Sequence, residues 1–236
     1  MTTGKFLISP QEKEVAVSVL EKMERLKRKR ELRLIGFEAL FELLDRDEKA
    51  LVKKIRDLNP AVYGFKGPYL GRPPVPKNLV ALRRQKYEKN GENKKIETQY
   101  LPQPVYLAYR KLNAALHRDT GKKLLVASGY RSPAYQAIVF LRYLVVNKFN
   151  VRKTARGVAI PGFSQHGYPA EQALDFLIAS GLPNNWKPTA FARSAEYRWL
   201  LAKAARFGFY LSYPRNNPWG VMFEPWHWQF KKKFYT

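Results

Sequence analysis

Asp, Glu and His are the residue types here that could gather a divalent cation. The chain has no cysteine, and its only histidines are His117, His166 and His227. Any such site must therefore be built from imidazoles and carboxylates, and the candidate sets are few. Asp175 stands inside the apolar run Ala173-Leu174-Asp175-Phe176-Leu177-Ile178. A run of that kind reads as a buried strand. A carboxylate carried into it needs a cation, a hydrogen-bond cluster or a metal, because lone burial either costs several kcal/mol or forces the group neutral. His166 lies upstream, after the turn-like Pro161-Gly162-Phe163-Ser164-Gln165, and a loop leading into a strand can bring the two side chains together. Farther on, Phe223-Glu224-Pro225-Trp226-His227-Trp228 sets an acid and an imidazole three positions apart among aromatics. In an ideal strand those two face opposite sides, so Pro225 must break the regularity if they are to converge. His166, Asp175 and His227 would supply the three protein ligands typical of catalytic zinc, leaving a fourth position for water. Glu224, in dry surroundings that raise its pKa, would take the proton of that water. On residue types alone two plainer readings stand beside this one: a structural His166–Asp175 hydrogen bond, and an ordinary aromatic-rich C-terminal strand.

The elements that must position these groups are legible in outline. Ser9-Pro10-Gln11-Glu12 reads as a capping box with proline at the first helical position, opening a helix to about Leu34. A second helix, about Phe37 to Leu58, places Leu40, Leu44, Leu51, Ile55 and Leu58 on one stripe and stops at Asn59-Pro60. The pair predicts an N-terminal helical hairpin. From Ala61 to about Gln103 the chain is rich in Gly, Pro, Lys and Asn, and its turn signals, Asn90-Gly91 among them, predict a long loop with little regular structure. From Pro104 the pattern predicts a helix over Val105–His117, a strand at Leu124–Ala127 and a proline-started helix from Ser132-Pro133 to about Lys148. A strand at Leu174–Ile178 follows, then a helix capped by Ser194 and ended at Gly208, a strand at Phe209–Tyr213 and a last strand from Val221 to Phe230. This mixture implies an α+β fold with a small, mainly antiparallel sheet flanked by helices. Arg131 falls between a strand and a proline-started helix, where its fork suits a carboxylate or a developing oxyanion, a surface salt bridge being the plainer alternative. Gln136, in the first turn of that helix, reaches the same mouth. His117, near a helix C-terminus that favours its charged form, reads as structural.

Composition sets the outer bounds. The 236 residues fit one domain with an appendage or two small domains, and the expected division is 1–60 helical, 61–103 linker or wrapping loop, and 104–236 the domain carrying the chemistry. With 45% hydrophobic and 14% aromatic residues there is enough to build a core. The net charge of +24, from 43 Lys plus Arg against 19 Asp plus Glu, draws the surface to polyanions without choosing among nucleic acid, anionic lipid and cell-wall polymer. No nucleic-acid-binding motif accompanies that charge. Met1–Pro10 lacks the apolar core of a signal peptide, and the apolar stretch Ala137–Val146, interrupted by Arg142, is too short to span a bilayer.

Several segments, in order, carry a resemblance. Ser128-Gly129-Tyr130-Arg131-Ser132 followed by Gln136, then Pro161-Gly162-Phe163-Ser164-Gln165-His166, then Ala173-Leu174-Asp175-Phe176, and finally Phe207-Gly208-Phe209, Ser212-Tyr213-Pro214 and Glu224-Pro225-Trp226-His227-Trp228 resemble the motifs of VanY-like D-alanyl-D-alanine carboxypeptidases, zinc peptidases of the LAS type. The resemblance spans about Pro104 to Phe230. It implies one zinc ion held by His166, Asp175 and His227, with Glu224 as catalytic base. It also implies Arg131 as the group that binds substrate and stabilises the attacked carbonyl, with Gln136, Ser164 and Trp226 as further substrate contacts. The implied substrate is the peptidoglycan stem peptide, with loss of a terminal D-alanine. An endolysin-type endopeptidase and an L,D-carboxypeptidase are the alternatives, and a nucleic-acid-binding protein is a remote one. The cell envelope or periplasm would be the place of action, with an anionic wall or membrane surface as a further partner of a monomeric enzyme. One departure stands out. The family's usual HxxGxAxD places six residues between its His and Asp, whereas eight separate His166 from Asp175 and Glu171 occupies the glycine position. A two-residue insertion in the turn preserves both ligands; Glu171 is the rival acid.

Overall fold

The computed structural model describes residues 8–27, 31–89, 91–180 and 187–232. In chain order the elements are α1 (Pro10–Lys27), α2 (Phe37–Glu42), α3 (Arg46–Arg56), β1 (Leu79–Leu82), β2 (Lys86–Lys89), β3 (Glu92–Lys95), β4 (Gln99–Pro102), α4 (Gln103–Thr120) and β5 (Leu124–Ser128). There follow α5 (Pro133–Val146), α6 (Val151–Ala155), β6 (Ala173–Ile178), α7 (Pro188–Ala192), α8 (Ala195–Lys203), β7 (Phe209–Leu211) and β8 (His227–Phe230). Short 3-10 turns punctuate them. The fold is α+β with small antiparallel sheets and helices, as the pattern implied. Among the described residues no helix is long and apolar enough to cross a membrane.

Contacts divide the chain into two compact units. One comprises Met1–Val75, Arg131–Gly167 and Asn216–Met222; the other comprises Pro76–Tyr130, Tyr168–Arg215 and Phe223–Thr236.

The first unit is helical. Ala16, Val19 and Met23 of α1, Leu40 of α2 and Leu51, Val52 and Ile55 of α3 are buried with Ala134, Ile138, Phe140, Leu141 and Leu144 of α5 in one core. The Ser9–Glu12 capping box forms, with Glu12 N–H donating to Ser9 Oγ at 3.1 Å and Ser9 N–H to Glu12 Oε2 at 2.8 Å. Two expectations shift here. The first helix is described over Pro10–Lys27, residues 28–30 of its expected extension lie outside the described residues, and Leu32–Leu34, expected within it, is a 3-10 turn. The expected second helix is two, because Asp45 caps α3, accepting from Asp47 and Glu48 N–H while Glu48 reaches back to its own N–H. Glu48 is buried (2% exposed), pairs with Lys22 and accepts from Ser18 Oγ at 2.9 Å, which ties α3 to α1. Glu48→Ala removes this tie and half of the capping box together. The expected loss is about 2–3 kcal/mol of stability, read as a lower urea midpoint; a loss under about 0.5 kcal/mol, the scale of an ordinary surface substitution, would show that the buried tie is idle.

The second unit holds the sheets. The four-stranded sheet runs β5-β6-β8-β7, all neighbours antiparallel. One of its faces packs on α4 and α8, burying Leu112, Leu116, Phe176, Leu200, Phe209 and Trp228 in a second core. The segment expected to be a loop instead contains β1 to β4, as the pairs β1–β4 and β2–β3. Its strands are four residues long, and those of the β2–β3 pair carry mostly charged side chains, so no apolar alternation betrays them. Hydrogen bonds to distant backbone anchor them: the Gln85 side chain donates to Val126 C=O and accepts from Val126 N–H, both at 2.9 Å. Asn90 of the predicted turn lies outside the described residues. The Ser194 cap is present, accepting from Tyr197 N–H at 3.0 Å, and the helical stretch ends at Gly208 with φ +82°.

Candidate metal centre

Strand register positions two of the three candidate ligands. In antiparallel pairing Ser128 stands opposite Asp175 on one side, and Asp175 stands opposite His227 on the other. Residues directly opposite each other share a face of the sheet with their Cβ atoms about 4.5–5.5 Å apart, so the Asp175 carboxylate and the His227 imidazole are neighbours by construction. The row continues one strand farther, where Ser212 N–H donates to His227 C=O at 3.2 Å. There the Ser212 hydroxyl lies 3.1 Å from His227 Nδ1, and the Tyr213 ring packs against the imidazole with centroids 4.7 Å apart.

His166 comes from the loop between α6 and β6, in a 3-10 turn, and is 2% exposed. Its carbonyl accepts from Arg131 N–H at 3.1 Å. Gly162, with φ +91°, sits where a side chain would collide with the Tyr69 ring, its Cβ only 2.4 Å from Cε2, and Leu70 N–H donates to Gly162 C=O at 2.8 Å. The chain around Tyr69 thus braces the loop that presents Ser164 and His166.

One ligand atom from each of His166, Asp175 and His227 lies within 4.8 Å of the other two. Three such residues could together hold a metal ion. The donor set is nitrogen, nitrogen and carboxylate oxygen, which suits zinc, and two of its members are buried, which favours a bound ion over loose hydration. Glu171 is not in this group; its Oε2 and its carbonyl face the Gln229 amide at 3.3 and 3.1 Å. A 3-10 turn over Pro169–Glu171 lies between His166 and Asp175, and Asp175 stands in the strand. His117 is exposed and stands outside the group.

Glu224 sits one turn from His227. Rather than continuing a strand from Val221, the chain makes a turn over Glu224–His227, closed by His227 N–H donating to Glu224 C=O at 3.1 Å, and β8 begins only at His227. Pro225 takes the second position of that turn. Glu224 N–H donates to Tyr213 C=O at 3.1 Å and Trp228 Nε1 donates to Pro225 C=O at 2.9 Å, so both ends of the turn are held. Trp226 is partly exposed and packs edge-on against Phe191, centroids 6.4 Å apart.

The remaining sequence-predicted residues cluster around the start of α5. Ser132 caps that helix, accepting from Tyr135 N–H at 3.0 Å, and its hydroxyl donates to Ile35 C=O at 2.6 Å. Gln136 is buried (1% exposed) and donates to Ala159 C=O at 2.7 Å, just ahead of the Pro161–His166 loop. Gly129 must be glycine, since a Cβ there would lie 2.5 Å from the Tyr100 carbonyl oxygen, to which Tyr130 N–H donates at 2.7 Å. Burial pushes the Tyr130 hydroxyl up to about 12, which keeps it a neutral phenol. The Ser212–His227 contact escaped sequence reasoning: Ser212 falls in a matching segment, but only the strand register shows what it faces.

Comparison with known proteins places the chain in a family. The family model described as VanY, D-alanyl-D-alanine carboxypeptidase, matches residues 98–233. A proposed carboxypeptidase, YodJ of Bacillus subtilis (strain 168), is 26% identical over 175 residues, covering 67% of this chain and 62% of its own length, so the chain spans less than two thirds of that relative. Among solved structures, the LdcB LD-carboxypeptidase superposes with a TM-score of 0.52 at 27% identity over 66% of this chain and 68% of that one. A vancomycin-resistance D,D-pentapeptidase, a VanY variant in complex with Zn(II), gives a TM-score of 0.46 at 25% identity over 66% of this chain and 81% of that one.

Proposed function

Because the chain belongs to the VanY family of D-alanyl-D-alanine carboxypeptidases, we propose that it is a zinc peptidase of peptidoglycan that removes the terminal D-alanine from stem peptides. The observation that carries this reading is the convergence of His166, Asp175 and His227 within 4.8 Å, with Glu224 one closed turn away. A single zinc ion held by those three residues would polarise the scissile carbonyl and lower the pKa of its water from about 15.7 to about 7. Glu224 would take a proton from the attacking water and hand it to the departing amine. Arg131 binds the substrate's terminal carboxylate and offsets charge developing on the carbonyl oxygen. Ser164 and Trp226 contact the peptide. Gln136 contributes through its amide oxygen while its nitrogen holds the Ala159 backbone in place. The +24 charge suits retention on an anionic wall polymer, and the cell envelope is the place of action.

A second reading is favoured by one observation: the superposable LdcB is an LD-carboxypeptidase. The two are separated by digesting purified muropeptides and weighing the products. A D,D-carboxypeptidase shortens pentapeptide stems by one alanine and leaves tetrapeptides intact; an L,D-carboxypeptidase does the reverse; cleavage of cross-linked dimers alone would mark an endopeptidase. An untouched set of all three substrates in the presence of zinc would overturn the proposal.

A further inference from the structure

The Ser212–Tyr213 dipeptide grips both functional residues of the last segment. Ser212 holds His227 by its backbone N–H and by its hydroxyl, Tyr213 lies against the His227 ring, and the Tyr213 carbonyl accepts from Glu224 N–H. The hydroxyl contact has a chemical consequence. An imidazole binds a metal through one nitrogen and carries its proton on the other, and the partner of the second nitrogen decides which is which. We propose that Ser212 is a positioning residue: it accepts a hydrogen bond from His227 Nδ1–H, fixing the tautomer and the ring so that Nε2 is the ligating atom. This rests on the zinc-peptidase reading of the same site.

The arrangement follows from the sheet. Ser128, Asp175 and His227 occupy one cross-strand row, and Ser212 extends it just past the end of β7, where Leu211 pairs with Trp228. A residue in that row points to the same face as its neighbours, and serine is short enough for its oxygen to meet Nδ1 at 3.1 Å without displacing the ring. His227 is 3% exposed, so water is a poor substitute for the hydroxyl at this nitrogen.

The test uses the full chain and zinc itself. Zinc affinity is measured by competition with a chromophoric chelator for the wild type, Ser212→Ala and Ser212→Thr, alongside the unfolding midpoint of each zinc-free protein. Loss of an outer hydrogen bond to a ligating histidine costs about 10–100-fold in metal affinity. Ser212→Ala should weaken zinc by that factor with an unchanged zinc-free midpoint, and Ser212→Thr, which keeps the hydroxyl, should restore most of it. Imidazole nitrogen NMR on the zinc-loaded protein gives a readout independent of affinity: His227 should show a protonated Nδ1 and a metal-bound Nε2. Wild-type zinc affinity in Ser212→Ala, a parallel fall in zinc-free stability, or a metal-bound Nδ1 would each overturn the inference. If the wild type itself binds no zinc, it is the zinc-peptidase reading that fails.

Discussion

Glu224→Gln should retain zinc at wild-type affinity and lose about 10²–10⁴-fold in the rate of muropeptide hydrolysis, the range that a positioned general base contributes. Two features of the turn motivate the number. Glu224 is anchored by its own N–H to Tyr213 and by its carbonyl to His227 N–H, so the amide variant keeps the backbone and changes only the proton acceptor. Glutamine is nearly isosteric with glutamate, and the side chain is only partly buried, so little fold stability is at stake. The decisive pair of measurements is the turnover number and the bound zinc per chain. A variant that loses metal together with activity would make Glu224 a ligand or a structural residue. One that turns over at more than about a tenth of the wild-type rate, far above the expected loss, would assign the base elsewhere.

Removing the metal should have an effect of similar size by a different route. Stripping the protein with a chelator is expected to abolish hydrolysis, and one equivalent of zinc to restore it, because without the ion nothing brings the pKa of water down toward 7. The same prediction can be made residue by residue. Asp175→Ala and His227→Ala each delete one of three converging donors. Zinc binding in small sites is worth about 10–16 kcal/mol spread over four ligands, so losing one should weaken the ion by about 10²–10³-fold. His117→Ala and Glu171→Gln are the controls. The first is exposed and outside the cluster; the second faces the Gln229 amide. Both should bind zinc as the wild type does. If Glu171→Gln loses the ion and Asp175→Ala keeps it, the acid of the site has been misassigned, and the two-residue expansion after His166 would be the cause.

The candidate ligands could be named before any fold was known. Asp175 drew notice because an acid inside an apolar strand needs a partner, and the strand exists as expected. The capping residues Ser9, Ser132 and Ser194 each open a helix, since a hydroxyl that satisfies an orphan N–H is a local matter between residues three apart. What escaped is non-local. The four strands between Leu79 and Pro102 are short and, in β2 and β3, charged, so their propensity is weak and their partners decide them. The break between α2 and α3 was written in the Asp45–Glu48 capping box, but the continuous leucine stripe concealed it.

The sequence by itself determined the chemistry on offer: which side chains could ligate, that no thiolate could take part, and where helices begin. These depend on residue type and on neighbours a few positions away. Tertiary structure decided the geometry. Whether Asp175 stands beside His227, and whether Ser212 meets it, depends on the register between strands distant in the chain. A slip of one residue would turn each of those side chains to the opposite face, and no local pattern carries that information.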